Sequence, residues 1–243
     1  MKGFKFKAFF AAIFLLAGGC SAPEHYSSAP SSEVGTAWGG DVRSTVTSVS
    51  VERAAKEPSD VVLINYSAKN PSGYDRVYSV RMSDLEYAVR DAHFNSIPIT
   101  RRYNASTGQW QYTIPARVGT EYQLYIRNHS RDVNYEIVAT VDGLDVLNGK
   151  PGSLNNNGYI VNAGDSLAIK GFRKDKHTEA AFQFADIDES YAANSVQGDV
   201  RNVGVIGFAA FELQSADTKV LPPCSAQAFP ADSNGYAPPP CRK

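Results

Sequence analysis

The chain has 243 residues with 24 basic and 25 acidic side chains, a formal charge of −1, so it lacks the excess positive charge with which proteins hold nucleic acid. A hydrophobic fraction of 43% supports a packed core and excludes wholesale disorder. Three cysteines in this length exclude a disulfide-dense scaffold.

Lys2, Lys5 and Lys7 precede an unbroken apolar run over residues 8–16, after which small residues lead to Cys20. That order is the layout of a secretory signal. An apolar core of about ten residues is roughly half of what a bilayer-spanning helix needs. The run Leu16-Ala17-Gly18-Gly19-Cys20 resembles the lipobox of bacterial lipoproteins, with Ala17 standing where that family most often has Leu. The resemblance covers residues 1–20. It implies signal cleavage between Gly19 and Cys20, lipid on Cys20, and Ser21 as a following residue that favours the outer membrane. Three acyl chains, as these lipoproteins carry, hold a protein permanently, whereas one chain binds only marginally. The alternative is an ordinary cleaved signal that leaves Cys20 a free thiol. Removing residues 1–19 takes away three basic side chains and no acidic one, for a mature formal charge of −4.

Residues 20–40 are rich in Ser, Ala, Pro and Gly and too poor in large apolar side chains to order themselves, so a lipidated flexible tether is expected, with His25, Tyr26 and Trp38 as exceptions. Residues 41–213 suffice for one well-buried core and read mostly as strands. Residues 45–51 are β-branched and partly alternating, and residues 61–66 form a short apolar run suited to a sandwich interior. Asn70-Pro71-Ser72-Gly73 marks a turn. Ser83 with Glu86 makes a capping box for Leu85, Ala88, Val89 and Ala92 at helical spacing, which predicts one short helix packed on a sheet. Residues 101–104 and 109–114 then flank Ala105-Ser106-Thr107-Gly108 as a hairpin.

In the second half, Tyr122, Leu124 and Ile126 alternate with Glu121, Gln123, Tyr125 and Arg127, predicting a strand with one aliphatic and one polar face. Tyr135, Ile137, Ala139 and Val141 form the inward set of the next strand. Asp142-Gly143 suits the positive φ angles of a two-residue turn, and residues 144–147 return before Asn148-Gly149 turns the chain again. After a polar loop over 151–158, residues 159–161 and 167–169 read as a second hairpin about 162–165. Residues 180–184 and 203–211 add two strands. The second is apolar on both faces and belongs at a sheet centre, with Gly204 and Gly207 marking bulges or a close approach to the opposing sheet. Short strands with turn signals about every ten residues predict a mainly β fold, an antiparallel β-sandwich with one short helix, with residues 115–120 as the candidate internal boundary.

Residues 214–243 are Pro-rich and carry no core of their own. With Cys20 committed to lipid, Cys224 and Cys241 are expected to form a disulfide in an oxidising compartment, with pairing to another chain as the alternative. A loop of about 18 residues closed in this way removes roughly 3 kcal/mol of unfolded-state freedom.

The chemistry-bearing residues offer little catalytic pattern. His25, His93, His129 and His177 lack the mutual spacing of a local metal site, and there is no phosphate-binding glycine loop or nucleophile elbow. Asp186-Ile187-Asp188-Glu189 lacks the glycine and ligand spacing of a calcium loop and reads as a solvated turn. His177 beside Asp175 and Glu179 has no nucleophile near it and reads as a surface loop. No cofactor or metal is called for. Trp110 and the amide cluster Asn155-Asn156-Asn157, in a chain with 13 tyrosines, support carbohydrate binding as one alternative. The expectation is a non-enzymatic lipoprotein of the bacterial outer membrane, attached through Cys20, whose sandwich binds an envelope protein partner. Carbohydrate or peptidoglycan binding is the main alternative, and hydrolysis a lesser one.

Overall fold

The computed structural model describes residues 33–69 and 75–214. In chain order the strands are β1 (Val34–Arg43), β2 (Asp60–Ser67), β3 (Arg76–Val77), β4 (Val80–Met82), β5 (Leu85–Asp91), β6 (Ile99–Asn104), β7 (Gln109–Pro115) and β8 (Glu121–Asn128). They continue with β9 (Tyr135–Val141), β10 (Leu144–Asp145), β11 (Tyr159–Val161), β12 (Ser166–Ile169), β13 (Gly171–Arg173), β14 (Thr178–Asp186) and β15 (Val205–Glu212). A short helix, α1 (Tyr191–Asn194), precedes β15.

One sheet runs β1-β14-β8-β5-β4, with β12 also on β8 and β13 on β14; the other runs β10-β9-β15-β2-β7-β6-β3, with β11 also on β9. The second sheet is mixed, because β2 and β7 run parallel, with Ile64 opposite Tyr112. β3, antiparallel to β6 as β6 is to β7, already runs in the direction of β2, and between β3 and β6 the chain visits the first sheet through β4 and β5.

The sheets face each other through period-2 alternation. Val62, Ile64 and Tyr66 of β2, Ile206 and Phe208 of β15, and Ile137, Ala139 and Val141 of β9 share one buried cluster with the inward residues of β5, β8 and β14. Rings bridge the gap: Tyr66 meets Phe184 at 5.1 Å and Tyr87 meets Phe208 at 5.2 Å. Each such side chain contributes about 1.5–3 kcal/mol by leaving water. The mainly β sandwich read from alternation is what the chain forms, and β15 takes the central place expected of it, between β9 and β2. Strands from either side of residues 115–120 interleave in both sheets, β2 with β15 and β5 with β8.

Five local expectations are corrected. The capping-box helix is instead the β4–β5 hairpin, with Met82 opposite Leu85 and Ser83 at a φ of +46° in the turn. Leu85, Tyr87 and Val89 are fully buried at period 2, which outweighs the helical spacing, and the Ser83 hydroxyl donates to Asp60 Oδ1 at 2.9 Å instead of capping a helix. Second, the tether assigned to residues 20–40 overlaps β1, which starts at Val34. Its glycines are demanded by close packing, since a Cβ on Gly35 would meet Ser190 Cβ at 2.6 Å and one on Gly39 would meet the Ala181 carbonyl at 2.7 Å.

Third, residues 45–51 lie outside every strand: Val46 packs against the core, but Val49 and Val51 are exposed, so β-branched composition alone does not make a strand. Fourth, β11 and β12 are not a hairpin, because β11 pairs with β9 and β12 with β8, so their turn carries the chain between sheets. Fifth, both faces of β8 are buried. Gln123 and Tyr125 are covered by a turn whose Phe94 ring meets Tyr125 at 5.4 Å. Gly207 approaches Thr140 on its neighbouring strand, not the opposing sheet. The turn expected at Asn70-Pro71-Ser72-Gly73 lies outside the described residues, as do Gly19, Cys20, Cys224 and Cys241.

Candidate binding surface

β6 and β7 pair in the register Arg101↔Tyr112, Arg102↔Gln111, Tyr103↔Trp110 and Asn104↔Gln109. Their turn is closed by Asn104, whose carbonyl accepts from the Gly108 N–H at 2.8 Å and whose Oδ1 accepts from the Ser106 N–H at 3.0 Å. Gly108 takes a φ of +69°, which glycine adopts without steric penalty. Alternation puts Arg101, Tyr103, Trp110 and Tyr112 on the face that also carries Ile99 and Ile114. That face is fully buried at Ile99 and Ile114 and emerges toward the turn, where Tyr103 is 52% and Trp110 47% exposed.

The two rings meet edge-on with centroids 5.4 Å apart. The Arg101 guanidinium lies 5.0 Å from the Trp110 centroid, and its Nε donates to Asp75 Oδ2 at 2.6 Å. β3 lies along β6 and adds Arg76 opposite Thr100, followed by exposed Tyr78. Arg102 is exposed on the other hairpin face. Residues 92–120 contain no Asp or Glu.

The chain enters the sandwich far from this hairpin. Glu33 pairs with Lys69 at 3.1 Å, just past the C-terminal end of β2. Because β7 is parallel to β2, the hairpin turn lies at the Asp60 end. The seven steps from Asp60 to Ser67 span roughly 23 Å at about 3.3 Å per residue.

Buried polar groups form a contrasting set. Asp142 accepts from Tyr66 OH at 2.5 Å and the Gly204 N–H at 2.9 Å through Oδ1, and from the Thr36 N–H at 2.8 Å through Oδ2. Thr36 Oγ1 lies 2.8 Å from Tyr66 OH and 2.7 Å from Tyr122 OH. Burial pushes the Asp142 carboxyl up to about 6, against the hydrogen bonds that favour its charge. Burial likewise raises the hydroxyls of Tyr66 and Tyr122 well above the usual range.

Elsewhere, Arg173 pairs with Glu179 inside the fold and donates to Ser44 Oγ at 3.0 Å. Arg53 stacks 3.6 Å over Phe211, pairs with Glu136 at 2.7 Å, and donates to the Asn156 carbonyl at 2.6 Å. These contacts are struts: each joins segments distant in sequence.

The residues singled out in the sequence do not converge. Trp110 stands on β7, whereas the loop holding Asn155, Asn156 and Asn157 leads into β11 beyond β9, with β2 and β15 between. Asn156 is spent inside its loop, donating to Asp145 Oδ2 at 3.0 Å, while Asn155 and Asn157 are exposed. His129 lies 2.7 Å from Glu86, and this contact lowers the Glu86 carboxyl. Asp175 accepts the His177 backbone N–H at 2.7 Å while Glu179 turns inward to Arg173, so the three make no relay. Residues 187–189 of the acidic run form a 3₁₀ turn. Among the described residues no three His, Cys, Asp or Glu side chains are placed to hold a metal ion. The Tyr103–Trp110–Arg101 group was missed as a unit. Its signal was available in the cross-strand register of the expected hairpin, which sets Tyr103 opposite Trp110.

Comparison with known proteins adds no relative: no family profile, characterised protein or solved structure matches the chain.

Proposed function

We propose that this is a non-enzymatic lipoprotein of the bacterial cell envelope that holds a protein partner through the end of its sandwich formed by β3, β6 and β7. The observation that carries this reading is the exposed convergence of Tyr103, Trp110 and Arg101 on one hairpin. Tyr, Trp and Arg dominate the binding energy of protein interfaces, because they combine large apolar area with a directed polar group. The buried ionisable groups of the core, in contrast, are consumed as struts. A lipid on Cys20 would hold the sandwich at the membrane through the residues that precede Glu33.

The test is a photo-crosslinking residue placed at 103 or 110 in cells. A discrete adduct with an envelope protein supports the reading, with none expected from the same residue at Val196, a fully exposed site on the segment beside β1. The anchor is tested separately by Cys20→Ser and membrane fractionation, where unchanged retention rules out lipid attachment there. Glycan binding at the same hairpin is the second reading, favoured by the exposed Trp110 ring; it requires retention on peptidoglycan that Trp110→Ala abolishes.

A further inference from the structure

We infer that the outer face of the second sheet is the docking site of the chain's own C-terminal tail, with Val220-Leu221-Pro222-Pro223 lying over Val61 and Leu63. Alternation turns Val62, Ile64 and Tyr66 of β2 into the core and Val61 and Leu63 outward, where they are 53% and 55% exposed. Register places Ala209 beside Val61, and Gly207 between Leu63 and Thr140. A Cβ on Gly207 would meet Leu63 Cδ2 at 3.4 Å, so the strip has an apolar flank and no side chain at its centre. The pairing of β2 with β7 starts only at Ile64, which leaves Val61 and Leu63 flanked by a paired strand on the β15 side alone. Farther across the same face the apolar surface is covered by the chain itself. Val138, Ala209 and Phe211 form a separate buried cluster there, and the Arg53 guanidinium lies 3.6 Å over the Phe211 ring.

The tail departs from the edge of that cover. Leu213 forms a β-bridge with Arg53, and Gln214 donates from its backbone N–H to the Glu52 carbonyl at 2.9 Å and from Nε2 to the Arg53 carbonyl at 3.4 Å. Val61 stands opposite Ala209, five residues back from Gln214, which is about 17 Å at about 3.3 Å per residue. Residues 215–219 carry no large apolar side chain, and Val220 to Pro223, six to nine residues past Gln214, reach about 20–30 Å. The length of the tail and the place where it leaves the sheet therefore bring its first apolar run to the uncovered strip. Pro222 and Pro223 suit that role, because they bring no N–H that needs a partner and lose little freedom on docking. A second copy of the chain fits less well: a stable interface takes about 20–30 residues a side, whereas the uncovered apolar strip centres on two aliphatic side chains. A tethered segment acts at an effective concentration of about a millimolar, so a contact of four side chains suffices.

The test places a photo-crosslinking residue at position 61 or 63 of the full mature chain carrying Cys20→Ser, which is irradiated at low concentration, digested and read by mass spectrometry. Links to residues 215–223 of the same chain are expected, about fivefold or more above those formed by the same residue at the fully exposed Val196. Replacing Val220 and Leu221 together by Asp leaves the sandwich itself unaltered and should lower the yield about fivefold or more, because charged side chains do not leave water for an apolar strip. Links scattered evenly along residues 215–243, links that the double substitution leaves intact, adducts joining two copies, or no adduct from either position would each overturn the inference. In cells, an adduct at 61 or 63 with a different protein in place of the tail would also overturn it. None of these outcomes bears on the adducts expected at 103 and 110, so the hairpin and the tail stand or fall separately.

Discussion

Tyrosines sit at both ends of this sandwich and meet opposite fates. At the Ser67 end, Tyr66 and Tyr122 are buried, and their hydroxyls meet Thr36 and, through Tyr66, Asp142. At the hairpin end, Tyr103 leaves half its surface in water beside Trp110. The first cluster ties β1, β2, β8 and the segment before β15 into one core, so its polar atoms matter to folding. The second contacts little beyond its own hairpin and β3. A single exposed aromatic is ordinary, but two meeting an arginine at one end of a domain expose a contiguous amphipathic patch that folding does not require. The difference separates what holds the molecule together from what it offers to others.

The largest effect that tests this division is expected from Asp142→Ala. The substitution strands the Thr36 and Gly204 N–H groups in the interior and removes the acceptor of the Tyr66 hydroxyl, and should cost roughly 3–5 kcal/mol, read as a lower urea midpoint. Arg173→Ala should cost about 3 kcal/mol, because Glu179 stays buried without its partner. A loss below about 1 kcal/mol in either would show that the buried set is not what stabilises the fold.

Acidity probes the same cluster without removing atoms. The Asp142 carboxyl titrates at about 6 in the folded chain, against about 3.9 when unfolded. Below 3.9 it is protonated in both states. Between 3.9 and 6 the folded state binds more proton, so stability falls as pH rises, and above 6 the loss is complete at about 3 kcal/mol. Burial raises Asp145 and Glu179 in the same sense, whereas hydrogen bonds lower Asp91, Asp175 and Asp199 in the opposite one. The comparison with Asp142→Asn isolates the single group. The variant is less stable at pH 3.5, since its amide places a donor where acceptors are needed, and the gap should narrow by about 3 kcal/mol by pH 7. A gap constant with pH would mean that the carboxyl is not held up by burial.

How far these regions could be read from the chain follows from what each depends on. The strands of the second half were legible because Tyr135, Ile137, Ala139 and Val141 alternate without interruption and Asp142-Gly143 has the dihedral freedom of its turn. The β4–β5 hairpin was not, since Leu85, Ala88, Val89 and Ala92 satisfy a helical period as well as Leu85, Tyr87 and Val89 satisfy a strand, and only the facing sheet decides. β1 was hidden because its glycines look like linker until Ser190 and Ala181 are seen against them. The hairpin surface was half legible: Trp110 stood out by type, but its partners Tyr103 and Arg101 follow from register. The separation of Trp110 from Asn155–157 depends on strand order, which no local pattern carries.

The smallest stability effect is expected at the hairpin, and its smallness is the point. Trp110 meets Tyr103 edge-on, lies beside Arg101 and leaves about half of its surface, 47%, in water. Trp110→Ala should therefore change the free energy of unfolding by about 1–2 kcal/mol, the worth of an edge-on aromatic pair and half a ring of covered surface, and Tyr103→Ala by a similar amount. Both should leave the urea slope unchanged, since the surface exposed on unfolding is nearly the same. If either variant instead costs as much as Asp142→Ala, these rings are part of the core after all, their exposure is incidental to packing, and the division between a load carried inside and a surface offered outside fails at the hairpin.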